Sequence, residues 1–373
     1  MVLGRLVALL LCVLSTPVCC AQDVTSPKEI RQRAEFGVKA LQRWYDPATG
    51  LYLTTGWWNS ANAITVVTDY MLASGSKKYV GVLKNTFERA QVTVPKEKWA
   101  DPKKEMTGFP GFLNKYYDDE GWWALAWIGA YDVTHDARYL TMAQAIFEDM
   151  AGGWDQTCGG GIWWSKDRKY KNAIANELFL SVAAHLGTRT QQGGTYNQWA
   201  AKEFKWFRGS GMINGDHLVN DGLVIDSETG ACRNNGRTIW TYNQGVLVGA
   251  LAEWSRSNWD AGVLDEAKLI ADASLVHFAD KSGVLHEPCE PKCGADGAQF
   301  KGIFVRNLVA LNAVAADARY TTAIAVNAES IWGKSRTEES TFGLVWSGPP
   351  EEPDAATQSS ALDVMVAAMR AKK

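Results

Sequence analysis

The chain has 373 residues, 46% hydrophobic and 21% charged, which is ordinary for a globular protein with a large core. A formal charge of −3 leaves no basic footprint for nucleic acid or an anionic membrane. Seventeen tryptophans are the outlying figure, and Trp is common where flat ligands stack.

Residues 1–21 read as an export leader, with Arg5 in a positive start, Leu6 to Leu14 as an apolar stretch and Val18-Cys19-Cys20-Ala21 as a cleavage zone. No later run is apolar and long enough to span a bilayer, and the C-terminal tail lacks the apolar end of a GPI signal. The expectation is a secreted chain without an anchor. Removal of the leader reduces seven cysteines to four, Cys158, Cys232, Cys289 and Cys293, an even number suited to two disulfides in an oxidising route. The expected pairing is Cys289–Cys293 with Cys158–Cys232. A zinc site competes poorly, since His286 is the sole nearby histidine and there is no second CxxC. No cofactor or metal is implied, although Asp216, Asn220 and Asp221 form an acidic loop of the kind that can hold Ca²⁺.

Beyond the leader, helix follows helix in two alternating kinds. Pro27–Tyr45, Tyr79–Ala90, Asp136–Met150, Tyr196–Arg208, Asp260–Phe278 and Asp317–Trp332 carry one apolar stripe each. Asn59–Ala73, Asp118–Val133, Asn172–Leu186, Tyr242–Ser255, Phe300–Ala315 and Ala355–Met369 are apolar on most faces. No convincing run of strands interrupts them. Asp136-Ala-Arg-Tyr139 recurs as Asp317-Ala-Arg-Tyr320, and Tyr79, Tyr139 and Tyr196 stand 60 and 57 residues apart. Six helix pairs, one member covered all round and the other on one side, describe a ring within a ring. The fold expected is all-α, an (α/α)6 barrel. Length alone would suggest two domains, but a toroid holds residues 22–373 around one centre.

Links from inner to outer helices are brief, whereas links from outer to inner are long and rich in Gly, Trp and polar residues. The N-termini of the inner helices should therefore line one mouth. Among them Tyr116-Tyr117-Asp118-Asp119-Glu120-Gly121-Trp122-Trp123 sets three acids between aromatic pairs. An Asp that caps a helix is the structural explanation; a carboxylate pair walled by aromatic rings is also what glycosidases use. The other starts bring Trp57, Trp58 and Asn59; Trp163 and Trp164; Asn172, Asn176 and Glu177; Tyr242, Asn243 and Gln244; Lys301 and Arg306. With Tyr117 and Trp122 these are the candidate sugar contacts, amides beside flat rings being suited to hydroxyls.

These stretches resemble glycoside hydrolase family 76, the endo-acting α-1,6-mannanases of bacteria and fungi. The resemblance runs from about Ala34 to Trp346 and rests on Gly56-Trp-Trp-Asn59, Tyr117-Asp-Asp-Glu-Gly-Trp-Trp123, Gly159-Gly-Gly-Ile-Trp-Trp164, Tyr170-Lys-Asn-Ala-Ile-Ala-Asn-Glu177, Thr241-Tyr-Asn-Gln-Gly245 and Phe300-Lys-Gly-Ile-Phe-Val-Arg-Asn307. It implies the same barrel, α-mannan as the partner, Asp118 as nucleophile and Asp119 as acid/base. The family also contains wall transglycosidases, which leaves transfer open beside hydrolysis. Neighbouring Cα atoms stand about 3.8 Å apart, so the carboxyls can reach the about 5–5.5 Å of a retaining pair. The helix N-terminus should keep Asp118 ionised while its charge raises Asp119. A first-turn Glu120 reads as a solvated dipole partner. A sugar epimerase on this fold would need paired histidines at the mouth, and the five present lie on outer segments or far along helices. A non-catalytic mannan-binding protein could dispense with one Asp.

Overall fold

The computed structural model describes residues 25–92, 108–258 and 260–371, so the expected leader at 1–21 lies outside the described residues. The helices are α1 (Pro27–Leu41), α2 (Trp57–Ser74), α3 (Val80–Arg89), α4 (Tyr117–Thr134), α5 (Ala137–Ala151), α6 (Ala173–Arg189), α7 (Gly193–Gly209), α8 (Thr241–Trp254), α9 (Ala261–Phe278), the single turn α10 (Gly294–Gly297), α11 (Phe300–Val314), α12 (Ala318–Lys334) and α13 (Ala355–Ala371). Helices α2, α4, α6, α8, α11 and α13 each pack on the next, and α13 returns to α2, closing an inner ring. Around it α5 packs on α4, α7 on α6, α9 on α8 and α1 on α13, with α12 against α11 and α13. The chain is the expected (α/α)6 barrel.

The two kinds of helix owe their places to what their faces can bury. Every residue from Ala173 to Ala184 in α6, and from Ala355 to Met369 in α13, is buried. In α5 only the stripe Tyr139, Ala143, Ile146, Phe147 and Met150 is. Inner neighbours approach backbone to backbone. A Cβ on Gly245 would stand 2.5 Å from the Phe304 Cα, and one on Gly302 2.4 Å from the Ser360 carbonyl oxygen, so α8, α11 and α13 need glycine there. The repeated Asp-Ala-Arg-Tyr is a cap: Asp136 and Asp317 accept from the backbone N–H of Arg138 and Arg319 and bind those guanidiniums, while Tyr139 and Tyr320 are buried.

After most outer helices the chain makes a small antiparallel contact before entering the ring: Tyr45↔Tyr52, Trp154↔Ile162, Ile213↔Val219, Ala279↔Leu285 and Arg336↔Phe342. A polar side chain then grips the returning residue. Asn176 accepts from Ile162 N–H at 2.7 Å and donates to its carbonyl at 3.0 Å; Gln244 does the same for Val219, at 2.7 and 2.9 Å. Ser60 accepts from Tyr52 N–H, Gln358 from Phe342 and Asn327 from Leu285. Buried loop backbone must find partners, and these side chains supply them.

Two expectations are corrected. The first helix stops at Leu41 instead of Tyr45, because Asp46 accepts from Ala48 N–H and the Thr49 hydroxyl and Gly50 turns left-handed (φ 71°), pairing Tyr45–Asp46 with Leu51–Tyr52. A second hairpin, Leu223–Ile225 with Cys232–Asn234, also breaks the all-helix reading. The disulfides are Cys158–Cys232, tying that hairpin to the loop after α5, and Cys289–Cys293, as expected.

Candidate active site

The first turn of α4 is held by residues other than its two aspartates. Tyr116 occupies the cap position and no side chain caps there. Instead the Asn114 side-chain Oδ1 accepts from Tyr116 N–H at 2.7 Å, and Glu120 accepts from Asn114 N–H at 2.8 Å and from Lys166 at 2.8 Å. Glu120 is therefore a buried brace, not a solvated dipole partner. Neither Asp118 nor Asp119 is the N-cap of α4, and the backbone N–H groups of that turn lower the Asp118 carboxyl less than burial raises it.

The strand-like segment before α6 is strapped to this turn. Tyr117 N–H donates to the Trp164 carbonyl at 3.0 Å, Tyr116 bridges Ser165, and Lys166 N–H donates to the Lys115 carbonyl at 2.9 Å. Trp164 thereby delivers its indole N–H to Asp118 Oδ2 at 2.9 Å, while Asn114 donates to Asp119 Oδ2 at 2.6 Å. Asp118 Oδ1 is buried and has no partner. Both carboxyls are pushed up: Asp118 by burial first and then by the Asp119 charge, Asp119 to about 7 by burial, against the Asn114 hydrogen bond, with Asp296 adding to the rise. The helix N-terminus does not keep Asp118 low, as the sequence suggested; burial outweighs it.

Aromatic rings flank the acids on two sides. Trp58 stacks on Trp122 (5.7 Å between centroids), Trp122 on Tyr242 (6.5 Å) and Tyr242 on Phe300 (3.8 Å, 5° between planes), with Trp240 edge-on to Phe300. Tyr116 and Trp164 lie tilted together at 4.9 Å and are the exposed side, at 38% and 37%. The Tyr242 phenol is raised well above its usual range, by burial and then by the charges of Asp118, Asp221, Glu177 and Asp296 that surround it. Tyr170 donates to Asp221 and accepts from Asn235 at 2.8 Å, so the hairpin carrying Cys232 steadies this acid.

Of the expected sugar contacts, Trp164 donates to Asp118, Tyr242 feels the Asp118 charge, and Trp58 stacks on Trp122, three residues beyond Asp119. The others are engaged elsewhere. Trp57 lies among Phe109, Phe112 and Trp123 and donates to the Ala90 carbonyl. Tyr117 packs under Gly153 with Lys166 over its ring, and Trp163 donates to Asp155 beneath Lys171. Asn172 caps α6, and Asn59, Asn176 and Gln244 grip loops. Lys301 is buried against Glu290, the Leu344 carbonyl and Trp346; Arg306 reaches Asp363 and Asn62 beneath Trp122. Glu177 and Asn243 are fully buried without partners. A side chain in the first turn of an inner helix meets the incoming loop before it meets a ligand, and the loop's backbone claims its polar atoms. Asn114 and Asp296 were missed, and Asp221 was read only as part of an acidic loop suited to Ca²⁺. Each sits in a long outer-to-inner link, and that position was the available signal.

A helical toroid with adjacent buried carboxyls between aromatic walls is the architecture of a carbohydrate-active protein. The sequence profile of Glycosyl hydrolase family 76 matches residues 29–373, and the chain belongs to that family. It is 32% identical over 275 residues to mannan endo-1,6-alpha-mannosidase DCW1 of Saccharomyces cerevisiae, covering 67% of this chain and 59% of that one. It is 31% identical over 207 residues to mannan endo-1,6-alpha-mannosidase DFG5 of Candida albicans, covering 51% and 45%. The chain spans less than two-thirds of the length of these curated relatives. Among solved structures it superposes on an α-1,6-mannanase of Salegentibacter sp. HEL1_6 with TM-score 0.80, 24% identity and coverage of 91% and 99%. That structure is an inactive variant with two consecutive aspartates replaced by asparagine, in complex with α-1,6-mannotriose. Dfg5 of Chaetomium thermophilum, in complex with glucosamine, superposes with TM-score 0.77, 22% identity and coverage of 93% and 92%.

Proposed function

We propose that this chain is a retaining glycosidase that cleaves α-1,6-mannosidic bonds within mannan backbones. The observation that carries the reading is the side-by-side placement of Asp118 and Asp119, neither of them the N-cap of α4, between the Trp58–Trp122–Tyr242 stack and Trp164. Relatives named mannan endo-1,6-alpha-mannosidases, and a neighbour whose consecutive aspartates were both changed in an inactive mannotriose complex, support the same substrate and pair.

In this account Asp118 attacks the anomeric carbon. The Trp164 N–H donates to it and favours its ionised form. Asp119 carries the proton, with the Asp296 charge favouring that state, and gives it to the departing glycosidic oxygen. It then takes a proton from water, whose oxygen displaces Asp118 from the sugar. The flat rings hold the sugar faces through the two steps.

Transfer to an acceptor sugar is the second reading, because a covalent intermediate on Asp118 can be displaced by a sugar hydroxyl as well as by water. Secretion is proposed with it, on the leader-like start and the two disulfides; residues 22–373 are then the catalytic unit. No helix among the described residues is long and apolar enough to cross a membrane. Product analysis on linear α-1,6-mannan, with and without an acceptor oligosaccharide, tests the reading. Shortened oligosaccharides are expected, products longer than the substrate would favour transfer, and no change in the mannan would contradict both.

A further inference from the structure

The link between α9 and α11 is tied to the starts of three inner helices. Glu287 accepts from the Thr241 N–H at 3.1 Å and from its hydroxyl, fastening the link to the start of α8. Glu290 pairs with buried Lys301 at the start of α11 and with His286. Asn59, in the first turn of α2, donates to Gln299 at 2.9 Å and to the Ala295 carbonyl at 3.4 Å. Between these anchors the Cys289–Cys293 disulfide closes a tight loop, and Gly297 lies so close that a Cβ there would stand 3.0 Å from Cys289 Sγ. The turn α10 emerges from this brace and carries one exposed acid, Asp296. Its carboxylate accepts from the Trp58 indole N–H at 3.0 Å, and Trp58 is the outer ring of the stack on Trp122.

We propose that Asp296 is a positioning residue of this site: it fixes the Trp58 ring for the sugar and holds a negative charge facing Asp119, and the Cys289–Cys293 brace keeps it there. The inference rests on the glycosidase reading above. An indole that is free to turn about its two side-chain torsions loses rotamer entropy when a sugar stacks on it, whereas an indole already held by Asp296 does not. The charge acts separately. Among the described residues the ionisable groups facing Asp119 are Asp118 from its own helix and Asp296 from the link, Asn114 being neutral, while Lys166 is engaged with Glu120 and Asp149. A negative charge beside a general acid favours the protonated state in which it can donate. The rise of Asp119 to about 7 agrees with this direction. The disulfide joins neighbouring turns of one short loop, so its removal acts on that loop.

The test uses the full chain and a defined α-1,6-mannooligosaccharide. In Asp296→Asn the amide oxygen still accepts from Trp58 but the charge is gone. KM should change by less than twofold, and the alkaline limb of kcat/KM should move down by about half a pH unit, as expected for one solvent-screened charge. Asp296→Ala loses both roles, so KM should rise several-fold as well. The double variant Cys289→Ser/Cys293→Ser should move both quantities in the same directions. If the Asp296→Asn profile superimposes on the unmodified chain and Asp296→Ala leaves KM within twofold, the proposal is wrong while the glycosidase reading stands. If the unmodified chain does not cleave the oligosaccharide, both fall together.

Discussion

Trp164 donates its indole N–H to Asp118 across 2.9 Å and so couples the loop before α6 to the acids of α4. This contact reaches the pair from a different part of the chain, 46 residues away. Trp164→Phe keeps a flat ring and removes the donor. A hydrogen bond to a charged group contributes about 1.5–3 kcal/mol, so kcat/KM on mannan should fall roughly 10- to 100-fold. Because Trp164 is exposed, the thermal midpoint should hardly move.

Trp57 and Trp58 are neighbours in sequence with opposite duties. Trp58→Ala removes the ring stacked on Trp122 and should raise KM with little loss of stability. Trp57→Ala empties a site between Phe109, Phe112 and Trp123, and should cost about 3–5 kcal/mol. Urea titrations and steady-state kinetics of the two variants separate the roles. A KM effect confined to Trp57→Ala would reverse the assignment.

The barrel was legible in the sequence because burial all round and burial on one stripe leave different residue patterns, as α6 and α5 show. Asp118 and Asp119 were legible because one cap does not need two acids. Asn176 and Gln244 were misread for a physical reason: an amide near a mouth satisfies loop backbone and sugar hydroxyl with the same atoms. Sequence does not say which partner arrives first. In the fold the loop does, at 2.7 Å in both cases. Trp57 and Lys301 were misread because aromatic and charged side chains at helix starts were taken to face the mouth, whereas both turn into the packing behind it. Asp296 escaped because its place depends on a disulfide and on Trp58, more than two hundred residues away.

Two buried carboxyls make stability depend on pH. Glu203 and Glu177 have no hydrogen-bond partner and are raised well above 4.5, chiefly by burial. The folded chain keeps these protons at pH values where the unfolded chain has lost them, so the stability these two groups contribute is full below 4.5 and falls as pH rises above it. Glu203→Gln removes the titration without changing shape. Its melting temperature should match the unmodified chain at pH 4.5 and exceed it by about 2–4 °C at pH 8. A gain of equal size at both values would mean that the charge is not the cause.

The two aspartates should separate by chemical rescue. Asp118→Ala removes the nucleophile and should abolish turnover of every mannoside. Asp119→Ala removes only the proton donor, so an aryl mannoside with an acidic phenol should still form the covalent intermediate. Turnover would then stall there, and azide, which needs no general base, should restore it. The glycosyl azide from Asp119→Ala should be the α-anomer, after two displacements; an α-azide from Asp118→Ala and a β-azide from Asp119→Ala would exchange the two roles.

Proton NMR of the first sugar released from α-1,6-mannan tests the double displacement at the adjacent pair most directly. Two successive inversions at one carbon restore its configuration, so the new reducing end should appear first as the α-anomer and only later mutarotate. A β-anomer at the earliest time points would mean a single inversion by water, and the Asp118–Asp119 mechanism would be contradicted.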